Sequence, residues 1–336
     1  MKKRSYIMRQ KENEEVFKKS ENIFPSKMTL LRSFLGNYLI ILIMLVLFGA
    51  GIILSPYFLT GTNVINILLQ SAINSIIAIG MTFVIITGGI DLSVGSVLAL
   101  SGVVMASLSH RGFSVILVII SGILIGIICG FINGFLITKW KLAPFIATLG
   151  MMSIARGLAL IYTGGLTMYG LSSSFTILGS GYLGSIPIAV IITFIIFFIA
   201  YFILKYTKVG LYVYAIGSNE EATRLCGISV NKYKLLVYII SGICASIAGI
   251  ILTGRLNAAE PIAGSGYELN AIAAAVIGGC SLAGGEGNLL GTLVGAIIMG
   301  ILQNLLNLTN VQAYYQQLVI GLVIVGAVLV DTFRKR

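Results

Sequence analysis

From Asn37 onward the sequence alternates long apolar blocks with short connections rich in glycine, polar or basic residues. In hydrocarbon no water is available to bond backbone groups. An apolar block that crosses a bilayer must therefore be helical, with about 17–25 residues to span a core of about 30 Å. On that measure the pattern predicts ten helical segments: Asn37–Leu54, Val64–Ile86, Val94–Ser107, Ser114–Ile137, Leu142–Tyr162, Ile186–Leu204, Leu235–Leu252, Leu269–Leu282, Leu289–Leu305 and Tyr314–Val330. The third and eighth are too short to cross comfortably. The expectation is an all-α integral membrane protein with about ten transmembrane helices, some of them short or broken.

Composition strengthens this reading. Of the 336 residues 57% are hydrophobic and only 10% charged, whereas soluble domains carry about 25% charged residues. A net charge of +11 could point to nucleic acid, so the positions of the basic residues decide. They form no single patch: nine precede Asn37, three close the chain, and seven fall in two internal connections. With the N-terminus inside, Lys139 and Lys141, then Lys205, Lys208, Arg224, Lys232 and Lys234, then Arg334, Lys335 and Arg336 all lie on the cytoplasmic side. Only Arg111 and Arg255 fall outside, and Arg156 falls within a span. This positive-inside pattern predicts cytoplasmic N- and C-termini, with the flanks facing anionic lipid and no nucleic-acid partner. It divides the chain into a cytoplasmic tail over 1–36, a transmembrane domain over 37–333 with a long cytoplasmic loop at 205–234, and a cytoplasmic end at 334–336. Met1–Ser33 has neither an apolar core nor a small-residue cleavage site, so it does not read as a secretory signal.

Cys129, Cys226, Cys244 and Cys280 show no CxxC spacing, and His110 is the only histidine, which argues against a zinc site or a Ser-His-Asp triad. Glycine is more informative. Helices in lipid associate by close backbone approach, so Gly122, Gly126, Gly130 and Gly134, one every fourth residue, predict a contact face. Gly291 and Gly295 repeat the spacing. Packing within the chain is favoured over a subunit contact for both. Two glycine-rich interruptions, Gly88–Gly95 and Gly278–Gly285, adjoin short helices and look alike, as an internal duplication would make them.

Polar residues at membrane depth need partners. Asp91 and Arg156 would each cost roughly 2.5–3.5 kcal/mol on insertion scales if left alone. Asp91 reads as a cap for the next helix, through the amides of Ser93 and Val94, or as a gate residue at a helix break. Arg156 is expected to bond backbone carbonyls or a neighbouring subunit. Asn66, Gln70 and Asn74 recur at i, i+4, i+8 on one face that is too polar for lipid. With Thr148 and Asn304 they are candidates to line a polar pathway, the alternative being hydrogen bonds between helices.

Within the loop at 205–234, the stretch Ser218–Gly227 has the marks of a short helix. Ser218 with Glu221 fits a capping box, and Gly227 suits the left-handed position after the last turn. Glu220 and Glu221 favour the positive end of the helix and Arg224 the negative end. About two turns are unstable alone, so something must hold them, and Ala222, Leu225 and Cys226 form an apolar face that could dock.

This stretch, Gly217-Ser218-Asn219-Glu220-Glu221-Ala222-Thr223-Arg224-Leu225-Cys226-Gly227-Ile228, resembles the ATPase-coupling loop of sugar permeases in bacterial ABC importers. The likeness extends to Gly80-Met81-Thr82 with Gly89–Ser96, to Pro144–Gly150, to Gly266–Leu269 and to Ser281–Gly285, collinear over about Ser55 to Asp331. Among subfamilies the chain resembles the ribose permeases. The resemblance implies a homodimeric permease in the bacterial plasma membrane, a cytoplasmic ABC ATPase on separate polypeptide, and an extracytoplasmic sugar-binding protein. It also implies that Ser218, Asn219, Glu220, Glu221, Ala222, Thr223, Arg224, Leu225 and Gly227 dock in a groove of the ATPase. Cys226 is a mild departure from a small hydroxyl or alanine. The sequence has no GxxxxGK[ST], so ATP and magnesium are expected on the partner, with no cofactor and no enzyme activity on this chain. A self-sufficient channel or ion-coupled transporter would need several deep carboxylates, and Asp91 is nearly alone. Galactose, xylose, a signalling sugar, nucleosides or branched-chain amino acids stand as alternative cargoes within the same superfamily.

Overall fold

The structure, a computed structural model, describes residues 27–334, with side chains over 40–329. The chain divides into two units, residues 1–43 and 44–336. Of the first, the described residues are helical. The expected tail at 1–36 lies outside the described residues up to residue 26, and a helix already begins at Lys27; of the expected 334–336 end, Arg334 closes a helix and the last two residues lie outside.

The long helices are α1 (Lys27–Leu54), α2 (Gly61–Ile86), α3 (Val94–His110), α4 (Val115–Lys139) and α5 (Pro144–Thr163), followed by a short α6 (Ser173–Ser180) and then α7 (Ile188–Tyr206). Next come α8 (Lys208–Ser218), α9 (Glu220–Leu225), α10 (Val230–Leu256), α11 (Tyr267–Ile277), α12 (Leu289–Leu308) and α13 (Ala313–Arg334). Strand is confined to two-residue pieces: β1 (Met168–Tyr169) pairs antiparallel with β4 (Ala258–Ala259), and β2 (Tyr182–Leu183) with β3 (Ile186–Pro187). Six helices, α2, α4, α5, α7, α10 and α12, are long and apolar enough to cross a membrane. Each of the other four expected segments is a shorter apolar helix among the described residues, at Ile40–Leu54, α3, α11 and Ala313–Leu329. At about 1.5 Å per residue, α11 covers only about half of a bilayer core.

Burial ranks the helices. Of the most apolar 18-residue stretch of α2, 94% is buried, against 28% in α4, α5 and α7, so α2 is the central helix and those three are peripheral. The glycine ridge of α4 packs against α10. A Cβ on Gly126 would overlap the carbonyl of Gly242, and one on Gly242 would overlap the carbonyl of Gly126, so the two backbones meet with no room for a methyl group on either. Gly130 faces the Tyr238 carbonyl in the same manner, and Gly134 faces Leu235. Gly291 and Gly295 bring α12 equally close to Gly278 and to Ala274 of α11. Both glycine ridges are therefore contact faces within the chain.

Candidate functional site

The stretch between Lys205 and Lys234 is mostly helix. α8 continues directly from α7 after Thr207, whose hydroxyl accepts a hydrogen bond from the Val209 amide. The chain then turns at Asn219 into α9. Here the structure corrects the expected capping box: Asn219, in extended conformation at φ −159°, is the N-cap, and its side-chain oxygen accepts from the Ala222 amide at 2.9 Å. Ser218 still belongs to α8 and turns its hydroxyl back to the Tyr214 carbonyl at 3.0 Å, so it is not available to cap α9. The physical reason is that two helices abut with a single extended residue between them, and only that residue has the backbone geometry of a cap. At the far end Gly227 takes φ +78°, and its amide bonds the Arg224 carbonyl at 3.0 Å.

One side of α9 is tied down. Thr223 is buried and its hydroxyl bonds the Asn219 carbonyl, while Glu220 pairs with Arg224 at 3.0 Å and with Lys234 of α10. Glu221 makes a looser contact with Arg224 at 3.3 Å. Burial by itself would raise the Glu220 carboxyl, but the Lys234 hydrogen bond and charge, with Arg224 and Lys141 nearby, bring it below its ordinary value. The other side is open. Ala222, Leu225 and Cys226 are all exposed, Leu225 at 80%, which leaves a small apolar face projecting beside Glu221 and Arg224.

Immediately before this helix three backbones converge. The Gly285 amide donates to the carbonyl of Ile86, the last residue of α2, at 2.9 Å. A Cβ on Gly217 would fall onto that same Ile86 carbonyl and the Gly285 amide. Gly284, at φ +86°, lies against the Gly217 carbonyl and the Gly88 amide, each about 3.0 Å from where its Cβ would be. Tyr214 adds a hydroxyl bond to the Gly287 carbonyl at 2.7 Å. The two glycine-rich interruptions thus touch each other, and the second borders the last residues of α8, as does Ile86 just ahead of the first. Nothing in the local sequence signals this meeting.

Asp91 sits in the first interruption and is 1% exposed. One carboxylate oxygen accepts the Ser93 amide at 3.0 Å and the Ser93 hydroxyl at 2.6 Å; the other accepts the Ser241 hydroxyl of α10 at 2.7 Å. Asn133 of α4 donates to Ser93 Oγ at 3.0 Å. Of the two expected amide contacts the Ser93 one is present and the Val94 one is not among the hydrogen bonds of the described residues; the Ser241 and Asn133 partners, which sequence reasoning missed, make the residue a junction of three elements. Arg156 on α5 donates to the carbonyls of Pro261 and Ala263 at 2.6 and 2.8 Å, with Glu268 within electrostatic reach. These are the backbone partners expected for it. They hold the connection after α10, whose Gly264 packs against Gly95 at the start of α3.

The remaining polar candidates are distributed unevenly. Asn66 is exposed and Gln70 half-buried, and the buried Gln70 Oε1 has no hydrogen-bond partner among the described residues. Asn74 is buried and donates to Gln303 at 3.4 Å. Asn304 is buried in a reciprocal pair with Asn63, at 2.8 and 3.0 Å. Thr148 is buried and bonds the Pro144 and Ile90 carbonyls at 2.9 and 3.3 Å. Asn74 and Asn304 both bond across the α2–α12 contact, Thr148 bonds elsewhere, and no hydrogen bond joins these candidates to one another among the described residues.

Apolar helices of membrane length packed around a buried central helix define a multi-pass, all-α membrane protein. Residues 63–328 match the family described as branched-chain amino acid transport system / permease component, and the chain belongs to that family. It is 47% identical to the ribose import permease protein RbsC of Haemophilus influenzae over 307 residues, covering 89% of this chain and 95% of that protein. It is 48% identical to RbsC of Bacillus subtilis over 310 residues, covering 92% and 94%, and 41% identical to the D-allose transport system permease protein AlsC of Escherichia coli K12 over 298 residues, covering 88% and 90%. No solved structure matches the chain.

Proposed function

We propose that this chain is the transmembrane permease subunit of an ATP-binding cassette importer in the bacterial plasma membrane, that its cargo is a monosaccharide, and that the monosaccharide is ribose. The observation that carries the sugar is the identity of 47–48% to ribose import permeases over nine-tenths of the chain, against 41% to a D-allose permease. The exposed apolar face of α9 supports coupling to a separate cytoplasmic ATPase. A helix of six residues cannot hold itself, and a docked groove would bury Ala222, Leu225 and Cys226 while Glu220 and Lys234 keep it on the permease. ATP and magnesium belong to that partner, and an extracytoplasmic binding protein delivers the sugar. Two copies of the permease enclose the pathway.

Of the polar candidates, Asn66 and Gln70 are the side chains with capacity for a passing hydroxyl. Gln70 Oε1 in particular lacks a protein partner among the described residues. Asp91, Thr148, Arg156 and Asn304 spend their hydrogen bonds on neighbouring helices and connections, and their part in transport is to fix the geometry of the pathway. The test is uptake. Membranes carrying this chain, its ATPase and its binding protein should accumulate ribose in an ATP-dependent manner. Preference for allose or arabinose would overturn the choice of sugar, and ribose flux through liposomes holding this chain alone would overturn the ATPase-coupled reading.

A further inference from the structure

Movement of a docked helix does work only if something stiff connects it to the helices that must shift, and coupling is best argued from a continuous physical contact. Such a contact exists two residues before the cap of α9, at Gly217. We propose that Ile86, Gly217 and Gly285 form a rigid clasp through which displacement of α9 is delivered, as one body, to the inner end of α2 and to the glycine-rich break ahead of α12. This inference rests on α9 being the ATPase-docking element.

Three features of the clasp argue for it. The Gly285 amide to Ile86 carbonyl bond joins the end of the most buried helix to a break nearly two hundred positions later, and Gly217 presses its bare Cα against that bond. A single methyl group on Gly217 would occupy the space of both bonded atoms, so the approach requires glycine there for steric reasons alone. Tyr214, one turn earlier on α8, fastens the same break a second time through the Gly287 carbonyl at 2.7 Å. The path from α9 is short, since only Ser218 and Asn219 separate Gly217 from Glu220. The competing routes into α10 are the glycine turn at Gly227, the ring contact of Tyr212 with Tyr233, and the Glu220 to Lys234 ion pair, which is partly open to solvent, where ion pairs hold weakly.

The experiment uses the full importer reconstituted in liposomes, with sugar uptake, ATP hydrolysis and co-purification of the ATPase measured together. In Gly217→Ala the ATPase should still co-purify and hydrolyse ATP, while sugar moved per ATP falls about tenfold, inside the roughly 5–150-fold range typical of coupling between sites. Tyr214→Phe, which removes one hydroxyl and adds no bulk, should lower the same ratio by a smaller factor without changing ATPase association. Joining Leu211→Cys on α8 to Leu290→Cys at the start of α12, two exposed residues that line one cavity, with a thiol cross-linker should leave uptake intact compared with the same double variant capped by a monofunctional reagent, because parts that move as one body tolerate being tied. Loss of uptake on cross-linking would overturn the clasp, as would normal sugar-to-ATP ratios in Tyr214→Phe together with uncoupling by Lys234→Ala. If Gly217→Ala fails to accumulate in the membrane, the tyrosine variant and the cross-link decide. Failure of the unaltered importer to bind the ATPase would instead overturn the docking role of α9.

Discussion

Gly126 and Gly242 face each other where neither could carry a methyl group without striking the partner's carbonyl. Such contacts give helices in lipid their attraction, since burial of apolar surface offers none between elements already in hydrocarbon. Replacing Gly126 by Val should therefore push α4 from α10 and destabilise the protein by about 1–3 kcal/mol, seen as a lower melting temperature in detergent. The same substitution at Gly150, which has open space around it, should be nearly silent. The Asn63 and Asn304 pair offers a second test. Its two reciprocal bonds, at 3.0 and 2.8 Å, tie α2 to α12. A double-mutant cycle to alanine should give a coupling of about 0.6–1.7 kcal/mol, as for polar pairs between membrane helices. A coupling near zero would return Asn304 to the list of groups free to face the pathway.

At the level of the element, α9 shows how a six-residue helix is kept in place. Its cap, its glycine stop and its own ion pair with Arg224 act along the helix, while the Glu220 contact with Lys234 and the buried Thr223 hold it against the rest of the protein. Burial opposes the charge on Glu220, while the hydrogen bond and charge of Lys234, with Arg224 and Lys141, favour it, and the balance lies below the ordinary carboxylate value. A depressed folded value means that the stabilisation is complete above the unfolded value, about 4.3 for glutamate, and is lost as pH falls through the depressed one. Hydrogen exchange of the amides of Ala222 and Thr223 should accordingly stay slow and constant between about pH 5 and pH 7 after correction for intrinsic rates, and rise only in stronger acid. Loss of protection already at pH 6 would show that another group holds the helix. The capping box expected at Ser218 shows where local reasoning about this element stopped: the sequence offers two adjacent polar residues, and which of them caps depends on where α8 ends.

At the scale of the whole molecule, the alternation of crossings and the distribution of Lys and Arg predict that α9 lies on the cytoplasmic side. The prediction can be checked with a native residue. Among the four cysteines, Cys129, Cys244 and Cys280 are buried and Cys226 is exposed. A membrane-impermeant maleimide should leave Cys226 unlabelled in intact cells and should label it in inside-out vesicles that lack the ATPase. Labelling in intact cells would invert the orientation and remove α9 from the reach of any cytoplasmic ATPase.

The apolar segments could be read from the sequence alone because span length and the need to bond every backbone group inside the segment are local constraints, and residues such as Val115 to Lys139 meet them without help from the rest of the chain. The glycine ridge of α4, the glycine stop at Gly227 and the exposed face of Ala222, Leu225 and Cys226 were legible for the same reason, since each repeats or caps within a few turns. The tertiary structure alone decided that Ser241 would answer Asp91, that Pro261 and Ala263 would answer Arg156, and that Ile86, Gly217 and Gly285 would meet. Those partners lie from 68 (Gly217 to Gly285) to 199 (Ile86 to Gly285) positions apart, where helical periodicity carries no information, and only the packing of one helix on another brings them into contact.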